Sequence, residues 1–117
     1  MKDIKARTFD FAVRVVKLCR HLEDSSRTAS TVARQLLRSG TSIGANVQEA
    51  QAGQSKADFI SKMTIALKEA RETFYWLKLL KETEIVSTTQ IENIENECDE
   101  ITKVIASIIV STKRNIK

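Results

Sequence analysis

The stretch of sequence that decides the fold is Thr88–Arg114, TTQIENIENECDEITKVIASIIVSTKR. Its largely apolar positions recur at alternating intervals of three and four residues, the period of one face of an α-helix. They are Ile91, Ile94, Cys98, Ile101, Ile105, Ile108 and Thr112. Ser87 and Gln90 resemble a capping box, and acids in the first half with bases in the last turns suit the helix macrodipole. The pattern therefore predicts a helix over residues 88–114.

Three further segments carry helical periodicity, over residues 3–23, 27–52 and 56–81. The second contains Gly40 and Gly44, each of which costs about 1 kcal/mol relative to alanine inside a helix. Its unbroken pattern predicts one helix in which the missing side chains allow close approach to a neighbour, and a break at Ser39-Gly40-Thr41 is the alternative. The predicted core faces are Ile4, Phe11, Val15, Leu18 and Leu22; Val32, Leu36, Gly40, Ile43, Val47 and Ala50; and Phe59, Met63, Ala66, Ala70, Phe74 and Leu77.

The composition agrees with an all-α fold. The 117 residues include no proline and only three glycines, although β-hairpin corners depend on such residues. Four helices joined by short connections run antiparallel to their sequence neighbours. We therefore predict a single domain over residues 1–117, folded as an up-down-up-down four-helix bundle.

The chain carries no signal for a membrane or for export. No apolar run approaches the ~20 residues of a membrane span, and the start of the chain lacks the apolar core of a secretion signal. Cys19 and Cys98 are far apart in sequence and lack the spacing of a metal-binding pair. A cytoplasmic protein with reduced thiols and no membrane partner is the simplest interpretation.

Two helices carry more apolar side chains than one bundle core needs. Phe9, Val13 and Val16 lie away from the core face of the first helix, spaced i, i+4 and i+7. Ile65, Trp76 and Leu79 lie off the core face of the third. Aligned surplus apolar residues predict a buried contact elsewhere, so we expect these six to form an oligomer interface. A wide core within a monomer is the alternative.

A polar stripe runs along one flank of the second helix, formed by Gln35, Arg38, Ser42, Asn46 and Glu49. Arg38, Asn46 and Glu49 can exchange charge-assisted hydrogen bonds with each other or with a facing helix, where Arg71 and Glu72 are candidate partners. The stripe is interpreted as a network that fixes helix register or a subunit contact. A binding or catalytic constellation is the competing hypothesis.

The sequence lacks the residue patterns of the common catalytic and metal sites. The single histidine, His21, has neither a cysteine set for zinc nor the Glu-x-x-His spacing of di-iron bundles. The run Gly40-Thr41-Ser42-Ile43-Gly44 lacks the lysine and preceding strand of a phosphate loop. No serine has a plausible histidine base. We therefore expect no enzyme, no catalytic residues, no metal, no cofactor and no small-molecule substrate.

The net charge of +4 comes entirely from the first half of the chain. Residues 1–60 hold 10 Lys/Arg and 6 Asp/Glu, whereas residues 61–117 hold 9 of each. Contacts with RNA or DNA phosphates are a hypothesis for Arg7, Arg14, Lys17, Arg34 and Arg38. An ordinary solvated face is the alternative, and a helix-turn-helix over Thr31 to Val47 is disfavoured by the continuous periodicity.

The stretch 37–50, LRSGTSIGANVQEA, resembles the hallmark of the four helix bundle protein family, also known as the 23S ribosomal RNA intervening-sequence or S23 proteins. The matching positions are Arg38, Ser42, Ile43, Asn46, Val47, Glu49 and Ala50, with Val47 replacing the more usual isoleucine. Lys56 to Phe59, Ile65-Ala66-Leu67, and Glu72 with Tyr75-Trp76-Leu77 are similar to the family's third helix.

The resemblance implies a left-handed up-down bundle that assembles as a homopentamer, with no enzymatic activity and no cofactor. It also implies an association with nucleic acid, since a similar accessory protein of diversity-generating retroelements engages nucleic acid and a reverse transcriptase through a basic pentameric surface. The sequence thus predicts a non-catalytic, self-assembling bundle that acts as a nucleic-acid-associated accessory protein. The alternative is an interaction module that docks a partner helix without nucleic acid.

Overall fold

Four helices account for nearly all of the computed structural model, which describes residues 3–115. They are α1 (Ile4–Leu22), α2 (Arg27–Gln51), α3 (Lys56–Glu82) and α4 (Thr88–Arg114), and no strand occurs within the described range. Residues 1, 2, 116 and 117 of the predicted domain lie outside the described residues. None of the described helices is long and apolar enough to cross a membrane.

Each helix begins at a polar residue whose side chain satisfies a free backbone amide. Asp3, Ser26, Ser55 and Ser87 each accept a hydrogen bond from the N–H three residues later. This is the N-cap role for which such side chains are preferred. The turn after α3 is less conventional, because Glu84 has a φ of 62° without being glycine. The buried Val86 anchors this turn by donating its N–H to the carbonyl of Leu80.

The helices pack against one another in a ring. The backbones approach closely between α1 and α2, α2 and α3, α3 and α4, and α4 and α1, whereas the diagonal pairs show no close backbone approach in the described residues. The molecule measures 51 × 21 × 21 Å. The prediction of four mutually packed helices is confirmed. Helix α2 runs unbroken through Gly40, so the alternative of a break there, and with it a helix-turn-helix, is wrong.

The core is formed by the predicted stripes with several local differences. Leu18, Phe74 and Ile108 are only half-buried, and Ile109 and Leu80 are buried instead. Three hydroxyl residues, Thr8, Ser39 and Thr73, are also fully buried. Thr73 Oγ1 lies 2.7 Å from the Glu69 carbonyl and 2.9 Å from Ser39 Oγ, so these hydroxyls enter the core with their hydrogen bonds satisfied.

Glycine allows α1 and α2 to approach closely. A Cβ on Gly40 would lie 2.8 Å from a methyl of Val15, which is itself completely buried. A Cβ on Gly44 would lie 3.2 Å from the backbone oxygen of Thr8. The expectation that these glycines serve close approach to a neighbour is therefore confirmed, and α1 is that neighbour.

Replacing Gly40 with alanine tests this contact. Gly40→Ala gains about 1 kcal/mol of helix propensity but overpacks a filled interior, which typically costs 1–3 kcal/mol. We expect the free energy of unfolding in urea to fall by about 1 kcal/mol. The same change in a Val15→Ala background should be neutral or stabilising, because the clashing methyl groups are gone. The exposed Ser61→Ala serves as control, and a Gly40→Ala protein more stable than its parent would contradict the contact.

Candidate functional site

The polar stripe of α2 faces α3 and is centred on Arg38. Its guanidinium donates to Glu69 Oε2 at 3.2 Å and also to Glu72 Oε2. The same Glu72 oxygen accepts a hydrogen bond of 3.0 Å from the indole N–H of Trp76. We call these four residues the Arg38 network. Arg38 is about half exposed, so solvent weakens its ion pairs, whereas Glu69 is largely buried.

The remaining stripe residues make shorter-range or weaker contacts. Asn46 donates its amide N–H to the carbonyl and hydroxyl of Ser42, one turn earlier on the same helix. Glu49 lies 3.8 Å from Lys62 of α3, and both side chains are exposed. Gln35 and Arg71 are exposed, and Arg71 forms no ion pair within residues 3–115. The contacts of the stripe thus hold α2 and α3 together along their outer edge.

The predicted basic residues lie at different helix seams. Arg7 joins α1 to α4 by ion pairs of 2.8 Å to Glu97 and 3.1 Å to Glu100, which raise the pKa of its guanidinium. Arg14 lines a depression with Asn93, Asn96, Glu97, Asp99 and Glu100 of α4. Arg38 belongs to the α2–α3 network described above. Lys17 and Arg34 are exposed, and no carboxylate of the described residues lies within 4 Å of them.

The surplus apolar residues remain partly or largely exposed on one chain. Phe9 is 64% exposed, Val13 is 37% exposed and Ile65 is 39% exposed. Val16, Trp76 and Leu79 are half-buried. The structure adds Leu37, Tyr75 and Val110 to the exposed apolar set, and sequence periodicity missed them because they do not recur at helical spacing on their own helices. Tyr75 meets Trp76 edge to face, with ring centroids 5.0 Å apart.

The ionisable and thiol groups of the interior are engaged in packing. Glu95 of α4 is buried and accepts a hydrogen bond of 2.8 Å from Lys81, whose pKa this bond raises. Burial raises the pKa of the Cys19 thiol to about 11 and that of the Cys98 thiol to about 12. Both thiols point at backbone carbonyls, of Ala33 and Ala70. Such thiols are poor nucleophiles and poor metal ligands. Within residues 3–115 no group of His, Cys, Asp and Glu is arranged to hold a metal ion.

Comparisons with known proteins give two positive findings. Residues 2–107 match the family described as 23S rRNA-intervening sequence protein. The chain is also similar to a crystal structure of a protein of unknown function from the S23 ribosomal protein family of Bacteroides thetaiotaomicron. That similarity has 50% identity and a TM-score of 0.87, and it covers 92% of this chain and 98% of the other. The comparison with curated proteins finds no match.

A double-mutant cycle measures what the Arg38 network contributes. We expect Arg38→Met and Glu72→Gln to couple by about 0.5–1 kcal/mol in the free energy of unfolding, because Glu72 is half-buried and also held by Trp76. The matched control is Lys103→Met with Asp99→Asn, an exposed i,i+4 pair at 3.0 Å for which coupling of about 0.3–0.5 kcal/mol is typical. A network coupling no larger than the control's would contradict a register-fixing role.

Proposed function

The chain belongs to the 23S rRNA-intervening sequence protein family, and from this premise we propose that it is a non-catalytic helical bundle that assembles with copies of itself as an accessory factor for RNA or DNA. The observation that carries the proposal is the apolar surface left over by the single chain. Phe9 and Ile65, on the diagonally opposed helices α1 and α3, are both substantially exposed. Aligned apolar strips of this kind mark contact surfaces.

The proposal includes an up-down-up-down course of the helices. Successive contacts support it. Gly40 lies against Val15, whereas Gly44, later on α2, lies against Thr8, which is earlier on α1, so the two helices run antiparallel. The contacts between α2 and α3 are also antiparallel, because Arg38 pairs with Glu72 and Glu49 with Lys62. Those between α3 and α4 are antiparallel as well, through Lys81–Glu95 and the Lys56–Asn115 hydrogen bond. The left-handed turn of the bundle and a homopentameric assembly are carried over from the family resemblance.

The proposed location is the cytoplasm, where thiols stay reduced. Both cysteines are free and buried, which is compatible with a reducing compartment. In keeping with the non-catalytic proposal, we propose no cofactor and no small-molecule substrate.

The proposed contact with nucleic acid depends on the basic side chains that are not paired with carboxylates. Lys17 and Arg34 are exposed on α1 and α2 with no ion pair in the described residues, whereas Arg14, also exposed on α1, lines a depression with acids of α4. Repetition of such residues around an assembly multiplies the local positive potential. Three of the five predicted phosphate-binding residues lie beside carboxylates, and this favours the second candidate function, an interaction module for a partner helix without nucleic acid.

Self-association is tested by the mass of the assembled protein. Light scattering after size exclusion should give a multiple of 13.2 kDa at micromolar concentration. Phe9→Ser combined with Val13→Ser should weaken assembly by about 100- to 10,000-fold, because each buried apolar side chain contributes about 1.5–3 kcal/mol and 1.4 kcal/mol is tenfold. Val110→Ser on α4 is the control for an exposed apolar residue outside the strips. A wild-type mass of one chain would end the proposal of assembly.

Nucleic-acid binding is tested by salt and by charge reversal. With nuclease-treated protein and a labelled single-stranded RNA, we expect polarisation titrations to show affinity falling steeply between about 50 and 200 mM salt. Arg14→Glu with Lys17→Glu should weaken binding, whereas Lys68→Glu with Lys78→Glu on α3 should have a smaller effect, with assembly checked in each variant. Absence of binding at low salt, or equal losses in both pairs, would contradict the proposal. Recovery of one protein partner without nucleic acid would favour the interaction module.

A further inference from the structure

Two of the depressions along the outer seam between α1 and α2 are related to each other. The upper depression, of about 340 Å³, is lined by Val16 and Arg20 of α1 and by Ser30, Ala33, Arg34 and Leu37 of α2, among others. The lower depression, of about 230 Å³, is lined by Lys5, Phe9 and Ala12 of α1 and by Thr41, Ala45 and Gln48 of α2, among others. Small side chains on both helices leave these hollows, and larger ones form their rims.

The two depressions repeat at a fixed interval along both helices. Lys5 and Val16, and likewise Phe9 and Arg20, are separated by 11 positions on α1. Ser30 and Thr41, and likewise Leu37 and Gln48, are separated by the same 11 positions on α2. Eleven residues are three helical turns, or about 16.5 Å. The seam therefore presents two similar depressions separated by three helical turns.

The outer face of α3 carries apolar side chains at the same interval. Ile65 and Trp76 are 11 positions apart, and both are partly exposed. We call them the ridge. The indole of Trp76 is held by its hydrogen bond to Glu72, so its position is fixed before any partner arrives. Preorganised side chains of this kind lose little freedom on binding.

A chain cannot insert its ridge into its own seam, because α1 and α3 lie diagonally across the ring with no close backbone approach, and the ridge and the seam are both on the outer surface. The rims of the seam carry three cations, Lys5, Arg20 and Arg34, and one carboxylate, Glu23, so pairing one seam with another would bring two net positive surfaces together, which repulsion opposes. The two ridge side chains are themselves uncharged, and the carboxylate of Glu72 lies against Trp76. Two different surfaces that complement each other produce a head-to-tail contact between copies.

We propose that the α3 ridge of one copy packs into the α1–α2 seam of the next, with Trp76 in the larger upper depression and Ile65 in the lower one. This order makes α3 of one copy run parallel to α1 of its neighbour. The inference rests on the proposed self-association and adds the two surfaces that meet and their register.

The test mixes two variants, each lacking one surface. Ile65→Arg breaks the ridge, and Ala45→Arg blocks the lower depression at an exposed position. Each variant alone should have the mass of one chain, 13.2 kDa, by light scattering. An equimolar mixture should form a heterodimer of twice that mass, because one intact seam meets one intact ridge. Both variants add a positive charge, so attraction between the new side chains cannot produce the heterodimer.

Several outcomes would overturn the pairing. An Ile65→Arg chain that still assembles alone, or a mixture that stays monomeric while wild type assembles, would overturn it and leave self-association standing. A monomeric wild type would overturn both. Val110→Arg on α4 should assemble as wild type does, and helical circular dichroism should be unchanged in every variant.

Cross-linking checks the register without disrupting either surface. A chain with Ile65→Cys mixed with a chain carrying Ala45→Cys should form an intermolecular disulfide under mild oxidation. The matched mixture with Ser30→Cys, which lines the upper depression, should form at least tenfold less. Equal or reversed yields would overturn the assigned register. The native cysteines are buried, and both chains carry Cys19→Ser because Cys19 lines the upper depression.

Discussion

The close approach of α1 and α2 is the constraint on which the rest of the structure depends. Val15 occupies the place where a side chain at Gly40 would begin, and the Thr8 backbone sits against Gly44. Two helices this close form a thin wall with few side chains between them. On the outer side of that wall, Ala12, Ser30 and Ala45 are too small to fill the seam, so depressions remain. The small residues of α1 and α2 thus allow tight packing towards the core and leave depressions on the outer surface.

The charged residues divide the four seams by role. Acids on α4 form ion pairs with Arg7, and acids on α3 form ion pairs with Arg38. Ion pairs therefore bridge the α1–α4 and α2–α3 seams. Such partly exposed pairs contribute modestly to stability but orient the helices that bear them. At the α1–α2 seam the apolar rims carry Lys5, Arg20 and Arg34 and one carboxylate, Glu23, so cations predominate. That seam is therefore the part of the surface where apolar contact and positive charge coincide.

Much of the fold was predictable because helical periodicity is local. The sequence placed four helices over 3–23, 27–52, 56–81 and 88–114, and the structure has them at Ile4–Leu22, Arg27–Gln51, Lys56–Glu82 and Thr88–Arg114. The burial of Ser39 and Thr73 was not predictable, since it depends on hydroxyls meeting across two helices. The pairing of Arg7 with Glu97, 90 residues away, likewise depends on the packing of α1 against α4. The 11-residue repeat of the seam was hidden because it needs two helices to be read together.

Assembly and nucleic-acid contact are physically linked in the proposed function. One chain has a net charge of +4, and several of its cations are neutralised locally by carboxylates. The attraction that remains on a single chain is weak and easily screened at physiological salt. Head-to-tail contacts repeat each exposed cation at regular intervals around the assembly, and a polyanion that spans several copies meets them together. In the proposed mechanism, therefore, affinity for RNA or DNA is a property of the assembly and depends on the apolar contacts that build it.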